Sequence, residues 1–305
     1  MTGRPSLPES ERPSDDFVQI PAQTALLGSD DERHPEEQPA REVTVDAFSM
    51  ARHQVTNAEF AAFVDATGYV TVAERPIDPA DFPDAPPENL QPGSMVFRRT
   101  AGPVDLRHLD QWWSWTAGAC WNHPRGPKSG LPGRDHHPVV HVAFEDAAAY
   151  ASWAGLALPT EAQWEVAARG GLAATTYTWG DAPESPGQRL ANYWHGEFPY
   201  LPDTGYGTTQ PVGSFAPNGY GLFDMAGNVW EWTADWWSDD RSTGSCCATD
   251  SYDPHQPQFT IGRRVVKGGS FLCADSYCLR YRPAARRPQM VDTGMSHIGF
   301  RCIRS

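Results

Sequence analysis

Two cysteines, Cys273 and Cys278, lie five residues apart, and their thiols could act together in one site. Residues at this spacing point to opposite faces of a strand and to different sides of a helix. The thiols therefore converge only if the chain bends between them. The intervening Ala-Asp-Ser segment suits such a bend.

Basic residues surround this pair in the sequence, with only Asp275 nearby to balance them: Arg263, Arg264, Lys267, Arg280, Arg282, Arg286 and Arg287. Cationic neighbours lower the pKa of a thiol and favour the thiolate. Two thiolates form a soft ligand set of low coordination number, which suits Cu(I) better than Ca²⁺ or Mg²⁺, whereas structural zinc needs four ligands. From spacing alone, two unreactive buried cysteines or an incidental disulfide stay open as the commoner alternative.

Residues 224–231 form an oxygen-rich loop, in which the carboxylates of Asp224 and Glu231 alternate with the backbone carbonyls of Gly227 and Val229. Hard oxygen ligands of this kind suit Ca²⁺. Asn, Asp and Gly also favour loops when no metal is present, so ordinary turn chemistry is the alternative.

Three histidines, His136, His137 and His141, form a cluster that could hold a transition metal. A histidine between a loop and a strand is more often hydrogen-bonded within the fold than bound to a metal. We therefore assign no role to these three residues.

The composition excludes several classes of protein. With 24 Lys and Arg against 38 Asp and Glu, the net charge of −14 argues against nonspecific binding to nucleic acid or to an anionic membrane. No apolar run approaches the length of a membrane span, and the first residues contain no hydrophobic signal region. Six cysteines are too few for a disulfide scaffold in a chain of 305 residues. We therefore expect a cytoplasmic protein, and we expect it to be a monomer.

The elements that position these groups are expected to be short. Residues 1–16 are predicted to form a disordered leader, and residues 17–305 a single domain. With 27 glycines, 28 prolines and no sustained helical periodicity after residue 175, much of the chain must form turns and short strands. The predicted fold is α+β, irregular and rich in turns.

Local patterns predict where the regular elements lie. Capping boxes that begin at Thr56 and Thr160 each predict a helix, the first of them over Asn57–Thr67. A third helix is expected over residues 145–154, where small residues precede a glycine. Alternation of apolar and polar residues predicts strands within residues 17–28 and 42–50.

Several longer motifs occur in a fixed order: LPTE at residues 158–161, NGYGLFDMAGNVWEW at 218–232, KGGSFLC at 267–273 and GFRC at 299–302. Together they resemble the motifs of the formylglycine-generating enzymes, and the similarity covers residues 17–305. The cysteine pair distinguishes catalytic members from relatives that keep only the fold. The resemblance implies that family's variant of the C-type-lectin-like fold.

The resemblance implies an oxidase that uses O₂ to convert a cysteine to Cα-formylglycine, within a Cys-x-Pro-x-Arg motif of an unfolded sulfatase. It implies that Cys273 and Cys278 hold Cu(I), and that an external thiol reductant takes part. It also implies that Trp230 and Ser270 wall the oxygen pocket, with Tyr277 beside it. Core packing or turn formation would explain these three residues equally well.

The resemblance further implies two structural calcium ions. The first would be held by Asp224, Gly227, Val229 and Glu231. The second would be held by Asn192, the carbonyl of Tyr193 and Asp203.

Two positions depart from the family pattern. Cys302 would be disulfide-linked in secreted relatives, but Ala151 stands at the usual partner position, which agrees with a reduced protein. His297 stands where relatives often have Asn.

Two other functions stay open. A noncatalytic member of the superfamily would bind a peptide or a glycan, but such relatives lack the cysteine pair. A sulfoxide synthase of thiol-histidine biosynthesis would use iron on an additional N-terminal helical domain, for which residues 1–16 leave no room.

Overall fold

Short elements joined by long connections make up the protein in the computed structural model, which describes residues 16–79, 86, 90–185, 187–241, 251–256 and 260–304. The α-helices in these ranges are α1 (Asn57–Thr67), α2 (Phe144–Ala154) and α3 (Glu161–Arg169). The strands are β1 (Phe17–Ile20), β2 (Gln23–Leu27), β3 (Arg41–Val45), β4 (Phe48–Ala51), β5 (Gly93–Phe97), β6 (Trp113–Ala117), β7 (Gly196–Glu197), β8 (Leu201–Pro202), β9 (Trp230–Trp236), β10 (Arg263–Lys267), β11 (Arg286–Met290), β12 (Ile298–Gly299) and β13 (Ile303–Arg304). Apart from Asp16, the predicted leader lies outside the described residues, so its boundary stays a prediction.

The helices lie where the sequence predicts them, because their caps are local. In α1 the Thr56 hydroxyl accepts a hydrogen bond from the Glu59 amide at 3.3 Å, and the Glu59 carboxylate accepts one from the Thr56 amide at 2.8 Å. Thr160 and Gln163 form the same reciprocal cap at α3. All three predicted helices are confirmed, and α2 begins one residue earlier than predicted.

Two sheets organise the longer strands. The four-stranded sheet has the order β11-β10-β9-β12, and β12 runs parallel to β9. The three-stranded sheet, of order β1-β4-β13, joins the start of the described chain to its end. β2 pairs with β3, β5 with β6 and β7 with β8 as separate two-stranded ribbons. Because β10 runs directly into residues 268–273, the four-stranded sheet anchors the segment that carries Cys273.

The alternating pattern of residues 17–28 covers two strands rather than one. β1 ends at Ile20, Pro21 follows it, and β2 belongs to a different sheet. Proline has no amide hydrogen with which to continue a ladder, which explains the break. The pattern over residues 42–50 divides in the same way between β3 and β4.

Buried apolar side chains form three groups. The largest packs α1 and α2 against β9 and includes Cys273 and Cys302. A second packs α3 against the first strands of the chain. The third is mostly aromatic: Trp112, Trp113, Trp194, Phe198, Phe271, Leu272 and Ala274. Within the described residues, no helix has both the length and the apolar character that a membrane crossing requires. The prediction of an irregular, turn-rich α+β fold is confirmed.

Candidate active site

A double-glycine turn directs the chain from β10 into the candidate site. Gly268 and Gly269 both have positive φ, 95° and 72°. A Cβ on Gly269 would lie 2.6 Å from the carbonyl oxygen of Arg280, and one on Gly268 would lie 2.9 Å from the Trp164 ring. Glycine suits both positions, so this turn can press residues 268–273 against the segment that follows Cys278.

The predicted bend between the two cysteines is present. The amides of residues 277, 278 and 279 all donate to the carbonyl oxygen of Ala274, at 3.1, 3.0 and 3.0 Å. The chain folds back on itself there, and the Cys273 thiol donates a hydrogen bond to the sulfur of Cys278. Both are free cysteines. The two sulfurs therefore lie side by side.

The two thiols differ in acidity. The hydrogen bond from Cys273 lowers the pKa of Cys278 to about 7, although burial opposes this shift. Burial raises the pKa of Cys273, and its donation to Cys278 raises it further. The Ser270 amide donates to the Cys273 sulfur at 3.4 Å. Cys278 is therefore the more readily ionised thiol of the pair.

Few of the seven basic residues near this pair in the sequence lie near it in space. Arg280 and Arg287 line the pocket that holds the thiols, and Glu36 accepts from the Arg280 guanidinium at 2.8 Å. Three of the others pair with distant carboxylates: Lys267 with Glu165, Arg282 with Glu37 and Arg286 with Glu161. The expectation that all seven act on the thiols is therefore wrong, because residues far away in the sequence neutralise several of them.

The thiols lie in a small pocket of about 30 Å³. Its lining includes all five residues predicted to act in catalysis: Cys273, Cys278, Ser270, Trp230 and Tyr277. A cavity of this size has room for about one water-sized molecule. Cys273 is 2% exposed and Tyr277 is 39% exposed, so the pocket has a buried floor and an accessible side. The individual roles of the five residues stay predictions.

Three aromatic rings pack against one another at the accessible side of the pocket. Tyr277 stacks on Phe198 with ring centroids 5.1 Å apart, and Trp112 meets both rings edge-on at 5.2 and 5.5 Å. We call these three residues the aromatic ledge. No pattern in the sequence selects Phe198 or Trp112, because aromatic residues are abundant and only the fold brings Trp112 to the pocket and Phe198 against Tyr277. Trp112 and Phe198 are only 4% and 8% exposed, so Tyr277 is the ring of the ledge that an extended peptide containing proline could contact.

His297, which the sequence shows only as a departure from the family pattern, also lines the pocket. Its Nδ1 lies 3.1 Å from the Ser270 hydroxyl oxygen, and its ring meets that of Trp113 edge-on at 4.8 Å. Burial holds the pKa of His297 well below its ordinary value, and the charge of Arg287 adds to this effect. The imidazole is therefore neutral, and its tautomer decides whether it donates to Ser270 or accepts from it.

The first predicted calcium loop contains many hydrogen bonds of its own. The Glu231 carboxylate accepts four of them, two from Arg301 at 2.7 and 2.8 Å. Burial raises the pKa of Asp224 to about 6, and the charge of Glu231 contributes to this rise. A cation beside Asp224 would lower the pKa of this carboxyl again, whereas the charge of Glu231 is already balanced by Arg301. The carbonyls of Gly227 and Val229 lie in the same loop, and this four-residue calcium set stays a prediction.

The second predicted calcium set is assembled only in part. Asn192 is 0% exposed, and its Oδ1 has no hydrogen-bond partner among the described residues. A buried oxygen without a donor suits a hard cation, and Tyr193 follows directly. The carboxylate of Asp203, however, lies 3.7 Å from Arg189, a cation of the protein itself. Asn192 thus fits a calcium ion, and the complete set stays a prediction.

Among the described residues, His136, His137 and His141 do not bring their ligand atoms close enough to share a metal ion. His141 uses both ring nitrogens, one toward the Ser94 hydroxyl at 2.8 Å and the other toward the Pro124 carbonyl at 2.9 Å. Burial lowers the pKa of His141 to about 4, so this residue is neutral at neutral pH. His141 is therefore hydrogen-bonded within the fold.

Comparison with known proteins gives one consistent result. A family model described as "Sulfatase-modifying factor enzyme 1-like domain" matches residues 4–305. The formylglycine-generating enzyme of Mycobacterium tuberculosis is 53% identical over 298 residues, which cover 94% of this chain and 97% of that protein. The formylglycine-generating enzyme of Thermomonospora curvata is 47% identical over 292 residues, with 94% and 92% covered. Among solved structures, PvdO from Pseudomonas aeruginosa has a TM-score of 0.63 at 26% identity, with 95% and 94% covered.

Proposed function

The chain belongs to the sulfatase-modifying factor enzyme family, and from this we propose that Cys273 and Cys278 are the centre of its reaction. The protein is an oxidative enzyme that converts a sulfatase cysteine to formylglycine. The observation that carries the assignment of the centre is the meeting of two free thiols at the floor of a pocket. A noncatalytic peptide- or glycan-binding relative would have no use for this arrangement.

The overall chemistry requires both an oxidant and a reductant. The substrate CH₂–SH group loses two electrons and two protons to become a thioaldehyde, which water hydrolyses to the aldehyde with release of H₂S. O₂ is reduced to two molecules of water, which requires two further electrons and two further protons beyond those of the substrate. We propose that two molecules of an external thiol supply them by forming a disulfide, so that atoms and electrons balance.

Copper is the metal that this thiol pair suits. Two adjacent sulfurs, one of them with a pKa near neutrality, form the soft, low-coordinate set that Cu(I) prefers. Bound by Cys273 and Cys278, Cu(I) would supply an electron-rich centre that can pass an electron to O₂. The Ser270 amide, through its hydrogen bond to the Cys273 sulfur, would hold that ligand in place.

The other residues of the pocket act by position and by exclusion of water. Trp230, which is 2% exposed, closes one wall, and the pocket leaves room for a molecule no larger than O₂ or water. The exposed ring of Tyr277, backed by the buried rings of Trp112 and Phe198, would contact the proline of a Cys-x-Pro-x-Arg motif and direct the preceding cysteine toward the thiols. Because the floor is buried, the substrate cysteine can reach it only in an unfolded segment.

The decisive experiment is mass spectrometry of a linear Cys-x-Pro-x-Arg peptide after incubation with the protein, Cu(I), O₂ and a thiol. We expect the mass change for replacement of CH₂–SH by CHO, with loss of product when O₂ or copper is omitted. A folded carrier protein with the motif buried is the matched substrate control and should not react. Unchanged peptide under complete conditions would contradict the proposal, and binding without conversion would favour the noncatalytic alternative.

The cellular setting is also part of the proposal. Cys302 and Ala151 lie in the same buried group, so the position that could pair with Cys302 has no thiol. This supports work in a reducing compartment, the cytoplasm. We also propose that the protein acts as a monomer.

We propose that calcium, held at the Asp224–Glu231 loop and at Asn192, is structural. A hard cation would neutralise the buried Asp224 carboxylate and give the buried Asn192 oxygen a partner. Exhaustive chelation should therefore lower the melting temperature and leave the initial rate with added Cu(I) unchanged when measured well below that temperature. Elemental analysis before and after chelation is the control. Unchanged melting with unchanged metal content would show that the assignment is wrong.

His297 is expected to position Ser270. In His297→Ala the Ser270 hydroxyl loses its imidazole partner and keeps only the Leu272 amide, so kcat should fall by about tenfold while KM changes by less than about twofold. In His297→Asn a side-chain amide can restore the hydrogen bond, so most of kcat should return. Steady-state kinetics on the peptide separate these cases. Equal kcat in the wild type and His297→Ala, or no recovery in His297→Asn, would show that His297 has no positioning role.

A further inference from the structure

A second and larger cavity also borders the segment that carries the thiols. Its volume is about 310 Å³, and its lining includes Arg98, Arg99, Arg125, Arg134, Thr208 and Phe271. We call it the arginine pocket. Phe271 connects the two cavities, because it follows Ser270 and precedes Leu272, which both line the thiol pocket.

The four arginines of this pocket are unusual in a chain with a net charge of −14. Among the described residues, none of the four forms an ion pair with a carboxylate. Arg98 donates instead to the hydroxyls of Ser114 at 2.7 Å and Thr116 at 3.1 Å. Arg134 has only a long contact of 3.5 Å to the Thr208 hydroxyl.

Elsewhere in this fold, buried carboxylates balance the charges of the arginines. Arg169 lies 2.7 Å from Glu165, Arg282 lies 2.6 Å from Glu37 and Arg301 lies 2.7 Å from Glu231. In the arginine pocket the positive charges instead repel one another. Burial lowers the pKa of Arg134, and the charge of Arg125 lowers it further. The pocket therefore concentrates positive charge that no described carboxylate neutralises.

The other residues of the arginine pocket restrict which kind of ligand could neutralise the four arginines. Phe97, Val140 and Phe271 contribute apolar walls, and Thr208 and Thr209 are hydroxyl-bearing residues at the same cavity. The volume is that of a small-molecule site rather than of a protein interface. A guanidinium binds carboxylate and phosphate oxygens in pairs, and several guanidinia together favour a ligand with more than one such group.

We propose that the arginine pocket binds a small organic anion with at least two phosphate or carboxylate groups on an apolar body. The arginine of the substrate motif would be repelled here, so the pocket is separate from the place where the motif arginine binds. The ligand would contact Phe271, whose amide donates to the Asn228 carbonyl at 3.0 Å. The proposal does not depend on copper or on formylglycine formation.

The test is isothermal titration calorimetry of the full chain with pyrophosphate and with citrate, at low ionic strength. We expect saturable binding of at least one of them with one site per chain. Arg134→Gln and Arg125→Gln should each weaken it by about tenfold or more. Arg107→Gln is the matched control, because Arg107 is 87% exposed in its side chain and pairs with Asp105. This variant should change the affinity by less than about twofold.

Each outcome decides the question. Tighter binding of pyrophosphate identifies a phosphate ligand, and tighter binding of citrate identifies a carboxylate ligand. The proposal is overturned if neither anion binds saturably, or if Arg107→Gln weakens binding as much as Arg134→Gln does. Binding of an oligo-glutamate peptide without binding of either small anion would also overturn it. Because Arg125 is exposed, Arg125→Gln keeps the test informative even if Arg134→Gln does not fold.

Discussion

Replacing either Cys273 or Cys278 with serine will reduce formylglycine formation to the background rate, by about a thousandfold or more. Serine puts a hard, protonated hydroxyl in place of a soft thiolate, and one remaining sulfur cannot hold Cu(I) in the same way. Because the two sulfurs act as one ligand set, the double variant should lose no more activity than either single variant. Initial rates with the linear peptide and a Cu(I) titration against a chromogenic competitor measure both effects.

Cys302 is the matched control for this experiment. It is a free cysteine, 1% exposed, in the same apolar group as Cys273, but it does not line the thiol pocket. Cys302→Ala should therefore keep the copper affinity and the rate within about twofold of wild type. Wild-type copper affinity in Cys273→Ser or Cys278→Ser would rule out the proposed metal site.

Replacing Glu165 with alanine will lower the free energy of unfolding by about 3 to 5 kcal/mol. Glu165 and Lys267 are both 0% exposed, and their oxygen and nitrogen atoms lie 3.0 Å apart. The same carboxylate accepts from Arg169 at 2.7 Å and from the Gly28 amide at 2.7 Å. Its removal leaves a buried ammonium group and a buried guanidinium group short of a partner. Denaturant unfolding measures the loss.

Glu145 supplies the control for Glu165. It is an exposed carboxylate that pairs with Arg75 at 2.8 Å, so Glu145→Ala should cost about 1 kcal/mol or less. If the two alanine variants lost equal stability, burial of the Glu165 pair would contribute nothing.

The stability of the protein at acidic pH should also depend on the Glu165 carboxylate. Burial opposes ionisation, but the charges of Lys267 and Arg169 outweigh it and hold the pKa of Glu165 at about 2, below its ordinary value of 4.5. Ionised Glu165 therefore stabilises the folded state fully above pH 4.5, and this contribution disappears as the pH falls toward 2. Between these values, the wild type should lose stability more steeply than Glu165→Gln.

The sequence by itself determined the features that depend on near neighbours along the chain. The caps of α1 and α3 join residues three apart, so their hydrogen bonds need nothing beyond one helical turn. The convergence of Cys273 and Cys278 also depends on near neighbours along the chain. Their spacing permits contact only through a bend, and the turn at Ala274 provides it.

Only the tertiary structure decided what surrounds the two thiols. Glu36 reaches Arg280 across 244 positions in the sequence, and Ser270 meets His297 across 27. The arginine pocket is assembled from residues after β5, from the connection between β6 and α2 and from residues 207–209. Charge interactions depend on distance through space and on burial, and a linear pattern of charges specifies neither. For that reason the sequence predicted seven cations acting on the thiols, whereas the fold leaves two at their pocket.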